Sequence, residues 1–126
     1  MADDVFPGFY NPELFDGWTK LPHELFDEMY KMKETELKVI LYIFRHTWGF
    51  SEFGDEKGLK HLTTDDFMNG RTKSDGTRMD KGTGLSDWGV RDGLSKASKH
   101  GYITFDVDAR DKGRIRKSYG IKIRDE

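Results

Sequence analysis

Residues 84–103 read GLSDWGVRDGLSKASKHGYI. Gly84-Leu85-Ser86 is a turn ending in Ser86, whose hydroxyl can accept from the free N–H groups two or three residues on. A helix is expected from Asp87 to about His100. Asp87 suits the positive end of that helix. Lys96, Lys99 and His100 gather in its last turn, where cations are favoured, and Gly101 supplies a left-handed stop. Tyr102 and Ile103 then open an alternating strand. At about 100° per residue, Val90, Leu94 and Ala97 form a narrow apolar stripe that seats the helix on a core. The opposite side carries Trp88, Arg91, Asp92, Ser95, Lys96 and Lys99. Trp88 is the odd member, because a large outward aromatic side chain asks for a cover. A nearby loop is the simplest one.

Working outward, Tyr102 to Asp108 alternates, with Ile103, Phe105 and Val107 on one face. Ile115 to Ile123 alternates too, with Ile115, Tyr119, Ile121 and Ile123 on one face and Arg116, Ser118 and Lys122 on the other. The polar run between them ends at a glycine, so residues 102–123 read as a β-hairpin with a basic tip. Upstream of the central helix, Leu59 to Leu62 suits a short strand. Thr63 or Thr64 then caps a short helix with Asp65 and Asp66 in its first turn and Phe67 and Met68 inward, and Asn69-Gly70 stops it. Three or four residues normally separate two such helices. Here residues 71–83, RTKSDGTRMDKGT, intervene. Asp75-Gly76 predicts a tight turn within this insertion, which is expected to fold over Trp88 and to present Arg71, Lys73 and Arg78 as a basic arm.

Glu34 to Trp48 is the strongest helix. Leu37, Ile40, Leu41, Phe44 and Trp48 follow the i, i+3, i+4, i+7 pattern, and Val39, Tyr42 and Ile43 widen the apolar surface. This helix is expected to be the central post, packed against Leu94, Ile103 and Phe105, with Gly49 ending it. An acidic loop over 50–58 follows. Pro22 suits a helix start, and Leu25, Phe26, Met29 and Tyr30 recur at helical spacing. Residues 1–21 form an arm too aromatic for a free tail, expected to lie on the domain or on a second subunit. Residues 22–126 make a single domain. The pattern is that of an α+β winged helix-turn-helix, a helical core with a small antiparallel sheet and a C-terminal hairpin wing, with the insertion between the second and third core helices.

The 126 residues suffice for one domain with a core. Cysteine is absent, which excludes a disulfide framework and a Cys-based zinc site and fits a reducing interior. No long apolar run opens the chain, so neither a signal peptide nor a membrane span is expected, and the protein is placed in the cytoplasm or at the nucleoid. The formal net charge of −2 hides an asymmetry. Residues 1–34 carry eight acids against three lysines, whereas residues 109–124 carry seven Lys or Arg against Asp111 alone. The basic end lies beside the capped helix.

A resemblance enters on three segments. Residues 15–25, FDGWTKLPHEL, residues 36–50, ELKVILYIFRHTWGF, and residues 83–86, TGLS, resemble the N-terminal winged-helix domain of the phage replication protein O family and related replisome-organiser and initiator proteins. Arg45-His46-Thr47-Trp48-Gly49-Phe50 is the most specific part, and the likeness covers most of residues 15–103. The insertion at 71–83 departs from the simple pattern. The resemblance implies binding to origin DNA, in the host cytoplasm for a phage-derived chain, and recruitment of a helicase loader through other segments.

The residues themselves point to double-stranded DNA as the partner, while the resemblance implies a role in replication and the helix-turn-helix, shared by many regulators, leaves transcription regulation open. Ser86, Asp87, Trp88, Arg91, Ser95 and Lys96 are the candidate contacts on the helix, Arg71, Lys73 and Arg78 on the insertion, and Lys112, Arg114 and Arg116 on the wing. Phosphate contacts are expected from the wing and base-edge contacts from Arg91 and Ser95. The acidic N-terminal third, the low net charge and Trp88 keep open a second reading, a winged helix acting mainly as a protein–protein adaptor in a replisome or regulatory complex. A homodimer is compatible with either reading. His23, His46, His61 and His100 lack metal-ligand spacing, and no nucleophile arrangement stands out. Neither catalysis, metal nor cofactor is expected. The Lys81-Gly-Thr-Gly84 run is not a phosphate loop, since it lacks the flanking Gly-Lys-Ser/Thr pattern and a parallel sheet.

Overall fold

The structure, a computed structural model, describes residues 5–14, 17–48, 58–110 and 115–124. Among them the chain is α+β, with four α-helices and one three-stranded antiparallel sheet. In order come α1 (His23–Glu28), a 3-10 turn (Met29–Lys31), α2 (Glu34–Thr47), β1 (Lys60–His61), α3 (Thr64–Asn69), α4 (Asp87–Lys99), β2 (Ile103–Asp108) and β3 (Arg116–Ile121). The sheet order is β1-β3-β2. Ile103 pairs with Ile121, Phe105 with Tyr119 and Asp108 with Arg116, while Lys60 pairs with Tyr119 on the far side of β3. The expected stop at Gly49, the loop over 50–57 and the hairpin-tip residues Lys112 and Arg114 lie outside the described residues. No described helix is long and apolar enough to cross a membrane.

Local chemistry explains the helix ends. Thr63 caps α3 in a reciprocal box, its hydroxyl accepting from the Asp66 N–H while the Asp66 carboxylate accepts from the Thr63 N–H. Ser86 caps α4 by accepting from the Gly89 N–H at 3.1 Å. At the other end the Tyr102 N–H donates to the Ala97 carbonyl and the Gly101 N–H to the Ser98 carbonyl, with Gly101 at φ +83°. That double bond is the Schellman stop. Two of the three residues Lys96, Lys99 and His100 do more than complement the carbonyl end. Lys96 pairs with Asp92, and His100 Nδ1 lies 2.8 Å from the buried carboxylate of Glu36 on α2.

The core is built around α2. Val39, Ile40, Ile43 and Phe44 are buried with Leu25, Leu62, Phe67, Val90, Ala97, Ile103 and Tyr119, and Leu37 and Leu94 pack at its edge. Phe67 bridges the layers, with its ring 5.2 Å from Tyr42 and edge-on to Tyr119 at 5.5 Å. Two expected core members fall outside. Leu41 is 38 % exposed, because Lys38, Leu41 and Arg45 follow one another along the solvent stripe of the helix. Phe105 is 48 % exposed, because the hairpin's apolar face runs past the edge of the core. Leu41→Ala is therefore expected to cost less than about 1 kcal/mol, whereas Ile43→Ala should cost about 2–5. Urea midpoints compare the two, and equal losses would put Leu41 inside.

The helices α2 and α4 approach closely at Gly93, where a Cβ would stand 2.4 Å from the Thr35 carbonyl oxygen. Polar contacts flank this crossing. The Thr35 hydroxyl donates to Asp92 at 3.0 Å, and the His100–Glu36 contact closes the other side. The arm before α1 was expected to lie on the domain or on a second subunit, and in a single copy its larger described apolar side chains are not buried. Val5, Phe6, Phe9, Leu14 and Trp18 are exposed.

Candidate functional site

The outer stripe of α4 is set by helical spacing. Trp88, Arg91, Ser95 and Lys99 succeed one another at steps of three and four. Opposite them stands the odd-numbered face of β3, since the pleat turns Ile115, Lys117 and Tyr119 to one side. Between α4, β1 and this face lies an open groove of about 850 Å³. Arg91, Ser95, Ser98 and Lys99 line it from α4, Lys117 from β3 and Ile115 from just before it, Phe105 from β2, and Thr63 and Thr64 from the start of α3.

The candidate residues divide among several environments. Ser86 is occupied as the helix cap. Asp87 and Arg91 are joined at 2.6 Å, and both stay exposed. Ser95 reaches the groove. Lys96 is turned toward α2 and pairs with Asp92. That carboxylate holds the ammonium above the ordinary lysine range, and Lys96 in turn, with the Thr35 hydroxyl, holds Asp92 below the ordinary carboxylate range. Arg116 pairs across the hairpin with Asp108, one position off the Lys117 row, and alternates to the opposite face. The Asp108 carboxyl is held low by the Arg110 guanidinium 2.8 Å away. Lys117, Lys99, Ser98 and Thr63 were not among the candidate contacts named from sequence. The alternation that set Ile115 and Tyr119 on one face already put Lys117 between them.

The insertion does fold as a small hairpin, with Thr72 bridged to Arg78 across Asp75-Gly76. Its placement corrects the expected cover. Trp88 is 70 % exposed, and the insertion instead lies along α3 and α2. The Thr83 and Gly84 N–H groups donate to the Phe67 and Met68 carbonyls, strapping the returning chain to the end of α3. Two of the proposed arm cations serve the fold. The Arg71 guanidinium donates to the His61 carbonyl at 2.7 Å, and that of Arg78 to the Asn69 carbonyl at 2.9 Å. Lys73 is exposed.

What fixes the insertion is Asp80. Its carboxylate, 1 % exposed, accepts from His46 Nε2 at 2.8 Å, from the Tyr42 hydroxyl at 3.2 Å and from the Gly82 N–H at 2.8 Å. Burial alone would raise the Asp80 pKa, but these three donors outweigh it and leave the group below the ordinary carboxylate range. Burial pushes His46 down, against the pull of Asp80, so the neutral imidazole is the donor through its Nε2–H. Burial and then the Asp80 charge push the Tyr42 phenol up. Sequence reading missed this cluster, since nothing local to Asp80 points to residues 34 and 38 positions earlier.

Among the described residues, no group of three or more His, Cys, Asp or Glu side chains is arranged to hold a metal ion. No family model, curated protein or solved structure matches the chain.

Proposed function

We propose that the chain is a double-stranded DNA-binding protein of the winged-helix type, with α4 as the helix that enters the major groove and β2–β3 as the wing. The observation that carries this reading is the shared groove, in which Arg91, Ser95 and Lys99 of α4 stand beside Lys117 of the hairpin. An α-helix about 10–12 Å across suits a major groove about 12 Å wide. The exposed Arg91–Asp87 pair contributes little to stability, so Arg91 can exchange Asp87 for a guanine edge or a phosphate at low cost. The resemblance carried by residues 15–25 and 36–50 supports a replication-initiator role over other regulator roles.

A gel shift on mixed duplex DNA at about 50 and 200 mM salt tests the proposal, since phosphate contacts make affinity fall steeply between these conditions. Lys117→Ala is expected to weaken all sequences alike and to flatten the salt slope by about one unit. Arg91→Ala should instead lose discrimination at one base position, by about 1–3 kcal/mol. An unshifted duplex in both lanes would sink the proposal. That result would favour the adaptor reading, for which Trp88 speaks, since exposed Trp is characteristic of interface anchors.

A further inference from the structure

Residues 5–14 present apolar side chains away from their own domain. Val5, Phe6, Phe9 and Leu14 are exposed, Phe9 at 92 %. The segment nonetheless has shape. Gly8 takes a φ of 115° between Phe6 and Phe9, whose ring centroids lie 4.7 Å apart. Asn11 Oδ1 accepts from the Glu13 N–H at 2.9 Å, and the Asn11 carbonyl accepts from the Leu14 N–H at 3.0 Å. A preshaped aromatic knob loses less freedom on docking than a slack tail, and exposed aromatics of this density mark an interaction surface.

The groove beside α4 has the complementary character. Phe105 and Ile115 are exposed apolar groups on its floor, and its cations are Arg91, Lys99 and Lys117. Its volume of about 850 Å³ falls in the range that holds a drug-sized ligand, so two phenyl rings fit. The first nineteen residues carry Asp3, Asp4, Glu13 and Asp16 and no Lys or Arg. Acidic and aromatic on one side, basic and apolar on the other, the two elements belong to one sequence, and their described residues do not meet within one copy.

We infer that the arm of one copy docks into the α4–hairpin groove of a second copy, with Phe6 and Phe9 against Phe105 and Ile115 and Glu13 facing Lys99 and Lys117. Two arms and two grooves close into a two-fold dimer. The dimer stands independently of the DNA reading. Its consequence, that arm and duplex exclude each other, rests on that reading.

The test is sedimentation of the full chain, without DNA, from low micromolar to submillimolar concentration. Self-association is expected, weakened by salt and weakened about tenfold or more by Phe6→Ser/Phe9→Ser, as for truncated aromatic anchors. All these positions are exposed, so the melting curve should hold. Glu13→Lys and Lys117→Glu should each weaken the dimer, and the double variant should recover it. A photo-crosslinking residue at position 10 should capture the 105–107 or 115–117 segment of a differently mass-labelled copy. A monomer at every concentration would overturn the inference. So would a dimer indifferent to both arm and groove substitutions, or cross-links confined to one copy. Association lost in the arm variant with unchanged duplex affinity would support the dimer and count against the groove as the duplex site.

Discussion

Replacing Asp80 with alanine is expected to destabilise the protein by about 3–5 kcal/mol, the range for removing one member of a buried, hydrogen-bonded pair. The carboxylate is 1 % exposed and serves three donors from two places in the chain, His46 and Tyr42 on α2 and the Gly82 backbone. Alanine would leave all three donors facing a void. Each buried polar group left without its partner costs about 1–3 kcal/mol, and partial collapse of the insertion recovers some of it. The return of the insertion would also lose its anchor to α2. Asp80→Asn keeps the shape and one good acceptor, so it should fall between wild type and alanine. Urea unfolding of the three proteins gives the order. A loss below about 1 kcal/mol for the alanine variant, the size of an ordinary surface change, would show that the insertion is held by something else.

The same cluster sets a pH dependence with a definite sign. His46 has a pKa below its ordinary value of 6.5 in the folded chain. Below pH 6.5 the unfolded chain therefore binds a proton that the folded chain resists, and stability falls with acidification. Asp80 lies below its ordinary value of 3.8, so its contribution is present above that pH and is lost as pH falls through the folded value. Both effects run the same way. The urea midpoint should decline on acidification from neutrality, beginning near pH 6.5, and His46→Gln should blunt that first decline. An unchanged pH profile in His46→Gln would assign the decline to other groups.

Signals confined to a few neighbouring residues were legible in the sequence. Ser86, Thr63 and Gly101 determine their helix ends through bonds spanning three to five residues, and Asp75-Gly76 turns the insertion where its chemistry says it should. The alternation of β2 and β3 gave the hairpin. What failed was inference about which face meets what. Leu41 satisfies the apolar pattern of α2 yet lies on the Lys38–Arg45 stripe, because Glu36, His46 and Thr47 occupy buried positions that a purely apolar pattern assigns to solvent. Glu36 and His46 are buried through partners far along the chain, His100 and Asp80, and Thr47 through the Ile43 carbonyl one turn back. Trp88 was expected to be covered because the insertion ends next to it in sequence, but backbone bonds to Phe67 and Met68 draw that segment along α3 instead. For the candidate groove, helix periodicity found Arg91 and Ser95, whereas Lys96 falls on the flank facing α2, where Asp92 takes it.

Gly93→Ala sets two magnitudes against each other. Intrinsic propensity favours alanine within a helix by about 1 kcal/mol, so an isolated α4 would gain. In the folded protein the added Cβ would stand 2.4 Å from the Thr35 carbonyl oxygen, 2.8 Å from its carbonyl carbon and 3.1 Å from Val39 Cγ1. Two of these three are backbone atoms of α2, which cannot rotate aside as a side chain can. Overpacking of this kind costs about 1–3 kcal/mol, occasionally more. The crossing is also pinned by Thr35–Asp92 and His100–Glu36, so α4 cannot slide away without loosening polar contacts that are partly buried. The clash is therefore expected to win, with a net loss of about 1–2 kcal/mol by these magnitudes. Gly89→Ala is the matched control on the same helix, since the three atoms nearest its Cβ would be side-chain atoms of Leu85 and Ser86, the nearest at 3.3 Å, and it should be neutral or stabilising. Moving α4 away from α2 also shifts Arg91, Ser95 and Lys99 relative to Lys117. On the DNA reading, Gly93→Ala should therefore weaken duplex binding under conditions where the variant remains folded, while Gly89→Ala should not. Equal stability of the two alanine variants would mean that α2 and α4 are not in close contact at Gly93, and the position assigned to the outer stripe of α4 would fall with it.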